Sequence, residues 1–132
     1  MAEGTSQFVE SHKQRTKAFG VRCVRLVDTL PKRRSADVIG RQLLRSATSV
    51  GANYRAAQRA RSHAEFRAKL GIVEEEADES VYWLEVLAET GLVPAEKLAD
   101  LRQEALEILK ITVRTLRTAK QNVPANRSRK AR

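Results

Sequence analysis

The chain has 132 residues, with 25 Lys and Arg against 16 Asp and Glu and a formal net charge of +9, which suits one domain with one core. No apolar run approaches the roughly 18 residues a membrane span needs, and residues 1–13 lack the apolar segment of a secretory signal, so a soluble cytoplasmic protein is expected. A single cysteine excludes a disulfide framework and a Cys-based zinc site, and two histidines with six aromatics leave little material for an active site.

The first predicted helix spans 13–30. At about 100° per residue, Phe19, Cys23, Leu26, Val27 and Leu30 share one face. Pro31 ends it, because proline interrupts helix hydrogen bonding. Cys23 lies among apolar neighbours and reads as core rather than nucleophile.

The second helix is expected over 35–60, with Ile39, Leu43, Ala47, Val50, Tyr54 and Ala57 as its core stripe. A separate row holds Gln42, Ser46, Ser49, Asn53 and Ala56. Small side chains let another helix come close, and Asn fixes register at a buried seam. The row reads either as a contact between copies or as a solvated polar face. Gly40 and Gly51 each cost up to about 1 kcal/mol relative to Ala, which points to close backbone packing. Arg41, Arg45, Arg55 and Arg59 line a further stripe, broken by Thr48 and Ala52, and Arg61 follows it.

Ser62 with Glu65 forms an S-x-x-E capping box that opens a third helix over 63–90. Its core stripe is Phe66, Leu70, Val73, Ala77, Leu84 and Leu87, with Ser80 as a polar gap. Behind it lie Ala68, Ile72, Glu75, Glu79, Tyr82, Trp83 and Val86. A lone bundle would leave such a mixed stripe wet, so a homo-oligomer is expected, with Ser46, Ser49, Asn53, Ile72, Glu75, Glu79 and Trp83 at its interface. Glu75 and Glu79 are expected to meet arginines of a neighbouring copy or of the second helix.

The fourth helix, 94–120, follows the Gly91-Leu92-Val93-Pro94 junction. Leu98, Leu101, Ala105, Ile108, Thr112 and Leu116 form its stripe, widened by Leu109 and Val113. Lys110, Arg114 and Arg117 share its outer face. Residues 121–132 read as a disordered basic tail. Long amphipathic helices joined by short junctions predict an all-α, antiparallel up-down-up-down four-helix bundle in a single domain, residues 1–120.

The charge is segregated. Residues 1–70 hold 15 basic and 5 acidic groups (+10), residues 71–100 hold 1 and 9 (−8), and residues 101–132 hold 9 and 2 (+7). Arginine's planar fork suits phosphate oxygens, and the shortage of free aromatics argues against base stacking. The expected function is therefore non-enzymatic binding of structured RNA or DNA through the phosphate backbone, sensitive to salt. Arg41, Arg45, Arg55, Arg59 and Arg61 are the leading candidates, and Lys110, Arg114 and Arg117 follow. Neutralisation of the acidic helix within an assembly is the competing use of this charge. An adaptor that docks an acidic protein partner, such as a reverse transcriptase or other polymerase, is the alternative function. The carboxylates Glu74, Glu75, Glu76, Asp78 and Glu79 invite a metal-dependent hydrolase reading. Di-metal bundles need Glu-x-x-His on two helices, and neither His12 nor His63 stands in that motif, so no metal, cofactor or catalytic residue is expected.

Residues 45–84 resemble the four-helix-bundle family of proteins encoded by intervening sequences in large-subunit ribosomal RNA genes. The matching residues are Arg45-Ser46-Ala47, Ser49-Val50, Asn53, the Arg59-x-Arg61-Ser62-x-x-Glu65-Phe66 junction, Leu70, and Glu75 and Glu79 before Trp83-Leu84. The likeness extends back through Ile39 and Leu30-Pro31 to Lys17-Ala18-Phe19. It implies an antiparallel bundle assembling into a ring-like homopentamer. A related branch, the accessory proteins of diversity-generating retroelements, binds nucleic acid and a reverse transcriptase through a basic surface. The resemblance carries over no catalytic residues. Tyr54-Arg55-Ala56-Ala57 departs from it, since many relatives have an acidic residue and glycine there.

Overall fold

Four helices account for nearly all of residues 3–122, the part that the computed structural model describes: α1 (Glu3–Asp28), α2 (Arg34–Ala57), α3 (His63–Glu89) and α4 (Ala95–Gln121). Consecutive helices pack side by side and antiparallel, α1 on α2, α2 on α3 and α3 on α4, while α4 returns only sparsely to α1. This is the up-down-up-down bundle that the short junctions predict. Among the described residues there is no strand, and no helix is long and apolar enough to cross a membrane. The expected tail falls outside the described residues beyond Asn122.

The predicted stripes converge on one core. Phe19, Cys23, Leu43, Val50, Leu70, Val73, Leu84, Leu87 and Ile108 are all closed to solvent. Burial pushes the Cys23 thiol up to about 12, so it stays protonated and unreactive near neutrality. Ser80, the polar gap, is equally buried, and its hydroxyl donates to the Glu76 carbonyl at 2.8 Å.

Two boundaries differ from the periodicity. α1 begins at Glu3 rather than residue 13 and gains more than two turns. Those turns have packing of their own: Phe8 stacks on His12 at 5.4 Å, and the His12 ring meets Tyr54 edge-on at 4.7 Å. His12 is thereby buried. A titratable side chain on the inner face hides this stretch from an apolar count. α2 ends at Ala57 rather than residue 60, because the amides of Arg59 and Ala60 bond back three residues, to Ala56 and Ala57, and the chain tightens out of the helix.

The junctions behave as their residues dictate. Ser62 accepts the Glu65 amide at 3.0 Å, the N-cap half of the capping box. Gly91 takes φ +73° just past α3, a left-handed conformation in which a Cβ is strained. On α2, a Cβ at position 51 would stand 3.2 Å from the backbone of Thr16 and Lys17, so Gly51 lets the α1 backbone approach α2 closely.

The small polar row of α2 needs correction. Ser46 is wholly buried, 3.1 Å from the Ser80 hydroxyl of α3, and is closed to a neighbouring copy. Asn53 donates to the Ser49 hydroxyl and carbonyl at 2.8 and 2.9 Å, and both residues are half-buried. At Ser46 the small side chain does let a helix come close, as its size predicts, and that helix is α3 of the same chain.

Candidate nucleic-acid interface

Antiparallel packing sets which charges share an end of the bundle. The α2–α3 turn lies at the same end as the start of α1 and the finish of α4, and His63 Nε2 lies 2.7 Å from the Ala119 carbonyl there. α2, the α2–α3 turn and α3 bring Arg55, Arg59, Arg61 and Lys69 toward this end, and α4 brings Arg114 and Arg117, with Lys110 nearer its middle. Sequence distance separates the two groups, and the fold joins them.

The arginine stripe of α2 divides in two. Arg45 donates to Glu76 at 2.9 Å and also to Glu79, both on α3 of the same chain. Arg45, expected among the phosphate-binding arginines, is instead engaged in an internal pair, and Glu79 meets an arginine of the second helix, one of the two partners expected for it. Glu76, not Glu75, is its companion there. Trp83 Nε1 adds a bond to the same Glu79 oxygen at 3.2 Å, which holds the indole half-buried against α3. Arg41 pairs with Asp37 at 2.8 Å one turn away, with both side chains about 70% exposed, a contact that solvent weakens.

Arg55, Arg59 and Arg61 are exposed and form no ion pair among the described residues, and the same is true of Lys110, Arg114 and Arg117. Arg55 and Arg59 form a ridge between two depressions. One, of about 450 Å³, lies at the α2–α3 corner against Arg61, Glu65 and Lys69. The other, of about 630 Å³, runs along the α1–α2 groove past Lys13, Lys17, Val21 and Val24. Lys13 and Lys17 were missed by sequence reasoning. Their one signal is the four-residue spacing, which puts both on one side of α1.

No aromatic ring lines either depression, so contact with a polyanion here runs through charge and hydrogen bonds rather than stacking. Tyr54, the nearest ring in sequence, is buried, and its hydroxyl is pushed up to about 12 by that burial. Groups of His, Cys, Asp and Glu arranged to hold a metal ion do not occur among the described residues.

On α3, Ile72 and Tyr82 are 36% and 55% exposed, and Glu75 is exposed beside them. Tyr82 packs edge-on to Trp83 at 4.9 Å. The mixed stripe therefore divides: Ile72, Glu75 and Tyr82 face solvent, whereas Trp83 and Val86 pack against the core.

Three comparisons bear on this arrangement. The sequence model of the 23S rRNA-intervening sequence protein family matches residues 11–114. A crystal structure of a protein of unknown function from the S23 ribosomal protein family, from Bacteroides thetaiotaomicron, is 36% identical with a TM-score of 0.77; the alignment covers 83% of this chain and 97% of that one. No curated protein matches.

Proposed function

The chain belongs to the 23S rRNA-intervening sequence protein family, and from that premise we propose that it is a non-enzymatic, self-associating bundle that binds the phosphate backbone of structured RNA or DNA in the cytoplasm. The observation that carries the reading is that Arg55, Arg59 and Arg61 stand together, exposed and, among the described residues, without an ion-pair partner. Arg61 and Lys69 stand on one side of the ridge, and Lys13 and Lys17 on the other. Arg55 on α2 and Arg59 and Arg61 in the short α2–α3 turn present planar donor forks, and the depression at the α2–α3 corner admits phosphate beside them. Lys110, Arg114 and Arg117 extend the same end of the bundle along α4. The family name associates its members with ribosomal RNA genes, which agrees with a polyanionic ligand.

Self-association rests on the exposed Ile72 and Tyr82, and the family resemblance supplies the ring-like homopentamer as its form. The kinship with retroelement accessory proteins belongs to the same reading. It makes a reverse transcriptase or other polymerase the partner to test if the cations serve an acidic protein instead. Titration of the protein into RNA and duplex DNA at two salt concentrations tests the function. Affinity present at low salt and falling steeply with added salt supports it, and absence of binding at low salt refutes it. A polymerase pulldown that survives nuclease treatment would transfer the cations to the adaptor role.

A further inference from the structure

The heights of residues along the bundle bring together two faces that lie on different sides of one molecule. Gly51 of α2 abuts the backbone of Lys17 on α1, and Gly20 abuts that of Ala47. On the other flank of α2, Ser46 bonds Ser80 of α3. Counting five residues back along α3 from Ser80, and five forward along antiparallel α2 from Ser46, puts Glu75 level with Gly51. Glu75 is thus level with Lys17. Seven residues further up, a rise of about 10 Å, Tyr82 of α3 is level with Val24 of α1 by the same count. α1 and α3 run in the same direction, so both matches hold in one register.

The two faces are complementary in chemistry as well as in height. The α1–α2 groove has an apolar stretch at Val21 and Val24, 41% and 36% exposed, and cations at Lys13, Lys17 and Arg55. Its one carboxylate, Glu10, is held by Lys13 at 3.6 Å. The α3 face offers the reverse: Ile72 and Tyr82 exposed, with Glu75 and Asp78 exposed and unpaired among the described residues.

We propose that the Ile72–Glu75–Tyr82 face of one copy docks into the α1–α2 groove of a second copy, axes parallel and without axial offset, with Glu75 against Lys17 and Tyr82 against Val21 and Val24. This rests on the self-association proposed above and assigns its two surfaces. The contact is head-to-tail. A two-fold pairing of α3 faces would oppose Glu75 and Asp78 to their own copies, and like charges across an interface are costly. Head-to-tail contacts without axial offset are compatible with the ring form that the family resemblance implies, and not with a two-fold dimer. The Arg59, Arg61 and Lys69 corner lies beyond this seam, toward the α2–α3 turn, and remains open to phosphate.

Charge reversal tests the assignment in the full chain, read by sedimentation velocity with helix content followed by circular dichroism. Both positions are exposed on helices, and both substitutions keep good helix formers, so the variants remain folded. Lys17→Glu and Glu75→Lys should each weaken assembly at least about tenfold in concentration. The double variant K17E/E75K, which restores opposite charges at every seam, should recover it. Tyr82→Ala should weaken assembly without any rescue by charge. Single variants that assemble like the unsubstituted chain, or a folded double variant that stays dissociated, would overturn the pairing of faces. An unsubstituted chain that sediments as a monomer would overturn self-association itself, and the pairing with it.

Discussion

Arg15 and Glu104, 89 residues apart, form a two-pronged ion pair: the guanidinium donates from Nε and Nη2 to the two carboxylate oxygens at 2.7 and 2.8 Å. The pair ties α1 to α4, the adjacent helices with the least packing between them. The Arg15 hydrogen bonds hold the Glu104 carboxyl below its ordinary 4.5. A carboxylate depressed in the folded state gives stability that is complete above its unfolded value and is lost as pH falls through the folded one. Glu104→Gln should therefore cost about 0.5–1 kcal/mol at neutral pH, because Arg15 is partly exposed and solvent screens the pair. Urea unfolding at pH 7 should show that loss, and repetition in acid below the carboxylate range should show it shrinking toward zero.

His12 gives an acid response of separate origin. Burial, and next the Arg15 charge, lower its value from the ordinary 6.5, with Glu104 opposing. Its Nε2 is buried between Phe8 and Tyr54 and has no hydrogen-bond partner among the described residues. The folded protein therefore keeps the ring neutral, and the unfolded chain takes up a proton first. Stability should be full above pH 6.5 and fall as pH drops from there through the lowered folded value. Denaturation midpoints measured from about pH 7.5 to 5 should decline for the unsubstituted chain. They should stay level over that range for His12→Phe, while Glu104→Gln should keep the decline.

Ser46 distinguishes an internal seam from a surface. Ser46→Ala should cost within about 1 kcal/mol, because Ser80 keeps its bond to the Glu76 carbonyl. Ser46→Leu should cost about 1–3 kcal/mol by forcing α2 from α3. Thermal melts at matched concentration measure both. Destabilisation independent of protein concentration is expected, whereas a cost that vanishes on dilution would return Ser46 to the contact between copies.

The fold was largely legible because α2 and α4 carry clean three-and-four spacings from Ile39 to Ala57 and from Leu98 to Leu116, and because Pro31, Ser62, Gly91 and Pro94 mark the turns. The start of α1 was not, since its inner face there is held by His12 and Thr16 rather than by aliphatic groups. At the site, periodicity placed Arg55, Ile72 and Glu75 on outward stripes, and the structure keeps them there; Arg59 is exposed too, but in the turn beyond the end of α2. It gave no means of pairing Arg45 with Glu76 and Glu79, because the register between α2 and α3 depends on the Ser46–Ser80 contact across 34 residues. A periodic pattern orients a residue about its own helix axis; it does not say which neighbour stands opposite.

The slope of log affinity against log salt, for one RNA hairpin or DNA duplex, tests the phosphate-binding claim most directly. Each phosphate neutralised contributes a slope of about 0.7–0.9, so the Arg59→Ala/Arg61→Ala double variant should lower the slope by about 1.4–1.8. Arg45→Ala, which removes an internal pair, should leave the slope unchanged. Binding that ignores salt, or a double variant whose slope equals that of the unsubstituted chain, would contradict the account.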